Sequence, residues 1–218
     1  MALSLPTYLG LPVLDWRPDW QGPSTTLGFE QSKSRWDESG GPVEDDAGYV
    51  EGPHTVRTVR YVLKTRARVI DARELLQTVV KGRLKSFWVP TWSPDFRLAA
   101  GTLSGSAVIT TTPSGYVKFL QGANKGRAHV ALFPRLTGGT IIYREIVSAV
   151  EIVNEDFNRS ENEELTLDSV LTDDLNVLDP GCWLLLCRAA SDELAIVWEN
   201  ADTAVLELPL IDLPREGS

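Results

Sequence analysis

The side chains able to do chemistry are scattered through this 218-residue chain rather than gathered. His54 and His129 lie far apart in β-like contexts, and neither has cysteine or carboxylate neighbours at zinc-site spacing. Both read as structural or exposed. Acidic pairs at Asp45/Asp46, Glu163/Glu164 and Asp173/Asp174 have the composition of a glycosidase-like carboxylate pair. Each sits in an acidic stretch that reads more simply as solvated surface. Cys182 and Cys187 fall five apart in CWLLLCRAAS. On a strand that odd spacing points them to opposite faces, so they cannot bridge each other and read as small core hydrophobes in a non-oxidising compartment. There is no nucleophile elbow, no phosphate-binding glycine loop, no dinucleotide fingerprint and no H-E-x-x-H pair. The sequence therefore assigns no catalytic, cofactor-binding or metal-ligating residue, and a non-enzymatic role without cofactors is expected.

The elements that would position any site are mostly strands. Residues 1–53 are rich in Pro, Gly, Trp and acidic side chains without a helical period, which predicts a short strand over 13–20 followed by an extended arm or loops. HTVRTVRYVLKTRARV, 54–69, alternates Val56, Thr58, Arg60, Val62 and Lys64 on one face with Thr55, Arg57, Val59, Tyr61 and Leu63 on the other. That is the pattern of a long strand with one face partly buried. The period then changes. Asp71 as N-cap with Glu74 three residues on, Ile70 stapling onto Leu75, a stripe of Leu75, Leu76, Val79 and Val80, and Gly82 as terminator predict a helix over 71–81.

Short β-like runs follow at FWVPTW, FRLAAG, GSAVITTT, GYVKFLQ and AHVALFPR. GTIIYREIVSAVEIVNED is rich in β-branched residues and predicts one long strand or two, with another over 164–168. The end of the chain, CWLLLCRAAS, DELAIVWENADT and AVLELPLIDLP, reads as a strand and a closing hairpin or meander.

RLKSFWVPTWSPDFRLAAG, 83–101, is the densest cluster of aromatics and prolines. Stacking on nucleic-acid bases is one use for Trp88 and Trp92 beside Arg83 and Lys85, but the net charge of −9 opposes it. A buried corner is the simpler reading, with Pro90 marking an edge, bulge or kink. Charge is unevenly spread. Residues 1–150 carry 18 basic and 13 acidic side chains, and 151–218 carry 3 and 17. Opposite patches on one chain suit either two differently solvated surfaces or head-to-tail self-association. The start lacks the cationic and apolar regions of a signal peptide, and no apolar run is long enough to span a bilayer, so a soluble intracellular product without membrane insertion is expected.

In order, TVRYVLKTRARV, DARELLQTVVKGRL and KSFWVPTWSPDFRLAAG resemble the N-terminal segment of distal tail proteins of long-tailed bacteriophages and related gene-transfer particles, through Gly82, Phe87, Trp88, Pro90 and Asp95. The closing segment resembles the strand by which such chains return to their first domain, with Arg188 and Asp192 in an Arg-x-x-x-Asp turn. The resemblance spans about residues 54–101 and 181–214. It implies a mainly β fold: a split sandwich or barrel-like domain with one helix (1–101 and 181–218) and an inserted β-rich domain (102–180). It further implies a homohexameric virion ring at the tail tip, assembled in the host cytoplasm. Such a ring joins the tail tube protein to the tail-tip hub protein, and DNA passes through its lumen. On that reading the 87–92 strand buries against the helix and Asp95 holds the turn. The alternatives are a carbohydrate-binding module with exposed tryptophans, another tail ring such as a tube or terminator component, or an enzyme using an acidic pair of the insert.

Overall fold

A computed structural model describes residues 4–19, 28–30, 35–36, 43–44, 54–120, 127–134, 138–154 and 159–213. Within them the fold is mainly β and sandwich-like in class, with antiparallel sheet and one α-helix. The chain divides into two compact units. One contains Met1–Arg17 and Phe87–Leu186, the other Pro18–Ser86 and Cys187–Leu213. The division is discontinuous, with breaks near 17, 86 and 186.

Residues 87–101 belong with the first unit through their pairing. The strand Phe87–Pro90 is buried at all four positions and pairs with Pro180–Ala189. Thr91 N–H donates to the Trp183 carbonyl, and Phe96 pairs with Gly181, where its ring fills the space of a Cβ. On the other side of Trp88, its carbonyl accepts from Leu14 N–H beside a parallel bridge to Val13. The strand is thus lined on both sides, and Pro90 sits at its last position, where the missing N–H is tolerated. The remaining sheet of this unit runs from His129–Leu132 through Ile142–Asn154 and Arg159–Leu167 to Val108–Thr111, all antiparallel. The β-branched run at 141–153 is therefore one long strand. GYVKFLQ, in contrast, forms a π-type turn, Tyr116–Leu120, instead of a strand. The Glu163 carboxylate accepts from Ser114 and Val117 N–H, and Tyr116 stacks on Trp183 at 5.4 Å. Near the N-terminus a hairpin, Thr7–Tyr8 with Leu11–Pro12, replaces the strand expected over 13–20; Val13 makes a single bridge and Trp20 lies outside the described residues.

The second unit is built on His54–Leu63 paired with Ala204–Asp212, to which Ile196–Trp198 adds as the closing hairpin. Leu206, Leu208 and Leu210 are fully buried, each contributing about 1.5–3 kcal/mol of burial. The strand stops at Leu63, six residues short of its expected end, because the helix begins earlier than expected. Thr65 caps Arg66–Leu75, accepting from Arg68 N–H at 3.2 Å, whereas Asp71 lies inside the helix. Val69, Ala72 and Leu75 are the buried stripe. After Leu75 a π-turn, Leu76–Val80, closes with Lys81 N–H donating to the Leu76 carbonyl, and this five-residue step brings Val80 into the core. Pro180–Ala189 is shared along its length: Gly181, Cys182 and Trp183 pair with 130–132 in the first unit, and 187–189 pair with 210–212 in the second.

Candidate functional site

The aromatic cluster prominent in the sequence is interior. Trp88 is 1% exposed and packs edge-on against Tyr8 and His129, with ring centroids at 5.3 and 4.6 Å. Tyr8 Oη and His129 Nδ1 share a 3.0 Å hydrogen bond, and His129, which the sequence reads as structural or exposed, is buried. Burial, with Asp168 and Glu145 nearby, pushes the Tyr8 phenol pKa up and keeps it neutral. Phe87 and Trp88 are both fully enclosed, on a strand that pairs with Pro180–Ala189. Trp92 is half-buried beside Phe133, and Trp183 is buried. Asp95 does hold its turn: its carboxylate accepts from the Thr91 and Ser93 hydroxyls and from Trp183 N–H.

The acidic pairs do not converge. Glu163 is buried and occupied with the Ser114 turn, while Glu164, next along the strand, is exposed on the opposite face. Asp174 accepts from Ser104 N–H, and Thr172 donates to Asp173. Asp45 and Asp46 lie outside the described residues. Among the described residues no three His, Cys, Asp or Glu side chains gather as a metal-holding group, and no helix is long and apolar enough to cross a membrane. Cys182 and Cys187 are buried and form no disulfide, and burial pushes their thiols up to about 11 and about 12. Cys187 lies between Arg57 and Asp212: Arg57 Nη2 donates to its sulfur at 3.5 Å, and the thiol donates to Asp212 at 3.3 Å.

What lies open is a groove on the helical unit, about 530 Å³, that no single stretch of sequence announces. Arg66, Ile70 and Arg73 recur at helical spacing on the row beside the buried stripe and form one wall. Trp198, Asn200 and Ala201 form the other. Ile70 is 63% exposed, so it does not staple onto Leu75 as expected, and Trp198 is 44% exposed. Both walls are firm. Trp198 is paired to Ala204, and the turn after it is closed by the Asn200 side-chain oxygen accepting from Asp202 and Thr203 N–H. Arg60 pins the adjoining Glu199 at 2.8 Å. Among the described residues the lining holds two guanidiniums and no carboxylate. An exposed indole, an aliphatic side chain and two arginines are the composition of an interaction hot spot. A sequence signal for it existed in Ile70, an apolar residue out of phase with the helix core. Its partner Trp198 is far along the chain.

No family model matches the chain, and no curated protein matches it. The residues that carried the resemblance do meet in part. Gly82 has φ +62°, and a Cβ there would collide with the Asp192 carboxylate, which accepts from Arg83 N–H at 2.8 Å. Gly82 and Asp192 are thus two halves of one contact.

Proposed function

We propose that this chain is a structural virion protein of the distal-tail kind, assembling with copies of itself into a ring between tail tube and tail-tip hub, with an open channel for DNA. The single observation that carries the reading is the Gly82–Asp192 contact. Two segments 110 residues apart, each resembling distal tail proteins, interlock within one unit through the glycine and the aspartate that mark them. Support also comes from the mainly β fold with a discontinuous division of the chain, and from an exposed groove of hot-spot composition. The uneven charge suits head-to-tail closure. Sugar-stacking platforms need exposed indoles; Trp88 and Trp183 are buried, which leaves Trp198 in the groove as the exposed indole such a reading would use among the described residues.

The test is native mass spectrometry of the purified chain over a range of salt and protein concentration, followed by imaging. A closed ring with a central hole, six-fold by the resemblance, is the expected outcome. A chain that stays monomeric throughout and whose tryptophan fluorescence is quenched by glycans would replace this reading with a glycan-binding module.

A further inference from the structure

Resting on the self-assembly reading, we propose that the groove walled by Arg66, Ile70, Arg73 and Trp198 receives the acidic loop 168–179 of a second copy of the chain. The loop is held by its own hydrogen bonds. Leu171 and Leu175 are buried anchors, with Leu175 exchanging backbone bonds with Thr102 and Leu171 bonded to Ser106 and Gly105. Asp168 accepts from Glu145 N–H, and Asp179 from Asn176 N–H. Yet this ordered loop leaves Val170, Val177 and Leu178 outside, at 50%, 46% and 78% exposure. Large aliphatic side chains fixed in water on a rigid loop are a contact surface waiting for a partner. Of the loop's four aspartates Asp179 is buried, while Asp168 and Asp174 are exposed and Asp173 half-exposed; the loop itself has no basic residue, though Arg144 donates to its Val170 carbonyl.

The groove is its complement. It offers apolar area at Ile70 and Trp198 between two arginines, without a carboxylate among the described residues of its lining. Because loop and groove are different surfaces, the contact is heterologous: each copy gives its loop to one neighbour and its groove to another, which is the arrangement that builds rings or filaments. Charge sets the register and speeds encounter, and Leu178 and Trp198 supply the desolvated centre.

The test uses two full-length variants, Ile70→Cys and Leu178→Cys, mixed under mild oxidation. Both positions are exposed, and native Cys182 and Cys187 are buried with their thiols held protonated, so they stay silent. The expected result is a mixed disulfide between the two variants that outweighs either self-linked product. Its yield falls by about tenfold when Arg66→Glu and Arg73→Glu are added or when salt is raised to screen the pair. Rings that still form with no mixed disulfide, and that ignore the arginine changes, would overturn the groove assignment and leave the ring standing. Absence of both association and cross-link would overturn the two together. A fluorescent polyglutamate peptide bound through Arg73, with no I70C–L178C link, would give the groove to a different acidic partner and overturn the second-copy assignment.

Discussion

Trp88 and Trp198 show the two units using the same residue type in opposite ways. Trp88 is enclosed by Tyr8 and His129 in the first unit, and Trp198 stands at the mouth of a groove in the second. The difference teaches that aromatic density in the sequence marked a core, whereas the candidate binding surface rests on a lone indole in a quiet stretch. The largest expected effect follows from it. Trp88→Ala should lower stability by about 3–5 kcal/mol through the lost burial and the cavity left behind. Trp198→Ala should change it by less than about 0.5 kcal/mol while weakening association. Urea melts of the two variants check this, and equal losses would erase the distinction.

Polar interiors sharpen the comparison. The first unit keeps a phenol–imidazole hydrogen bond inside, Tyr8 with His129, and the second keeps an ion pair, Arg57 with Asp212 at 3.5 Å, side chains 9% and 17% exposed. Burial alone would disfavour the Arg57 charge, but Cys187 and Asp212 outweigh it and hold the guanidinium pKa above its ordinary value. Removing one partner of a buried charge pair strands the other. Asp212→Asn should therefore cost about 2–4 kcal/mol, since the cation cannot leave the core. Tyr8→Phe removes one hydrogen bond and should cost about 1 kcal/mol. The ratio of the two losses in urea unfolding is the measurement. A Tyr8→Phe loss equal to that of Asp212→Asn would mean that the charge of the pair is not what matters.

Much of the strand inventory was legible because β-branched runs and turn residues are local signals. The long strand Ile142–Asn154 and the hairpin of Ile196–Trp198 with Ala204–Asp212 follow directly from them. The helix was legible in kind but not in phase. Asp71 and Glu74 make a good capping pattern, yet Thr65 caps one turn and a half earlier, since the arginine-rich first turn hides the apolar stripe that begins at Val69. The π-turn then breaks the 3.6-residue period, so Leu76 and Val79, expected in the core, are only half-buried while Val80 is fully enclosed. The groove was illegible for a different reason: Ile70 and Trp198 are joined only through sheet pairing between distant strands, which no local period reports.

Effects of opposite sign come from two residues with similar backbone and opposite chemistry. Gly82 in the second unit has φ +62°, and Leu9 in the first has φ +47°, both left-handed. At Gly82 the choice is forced twice, by backbone and by the Asp192 carboxylate against its Cα. Gly82→Ala should cost about 2 kcal/mol, part from the left-handed Cβ and part from displacing Asp192. Leu9 has no such reason. It is 59% exposed at the first central position of a two-residue hairpin turn, followed by Gly10 at φ +77°. Both positive φ values are those of a type I′ turn, for which Asn-Gly is the favoured pair. Leu9→Asn should raise stability by about 0.5–1 kcal/mol, because it relieves the strained leucine and loses almost no packing. Urea midpoints moving in opposite directions for the two variants would place the strain at Leu9 and the constraint at Gly82. A destabilised Leu9→Asn variant would mean that the exposed leucine is held in contact with something beyond its own hairpin.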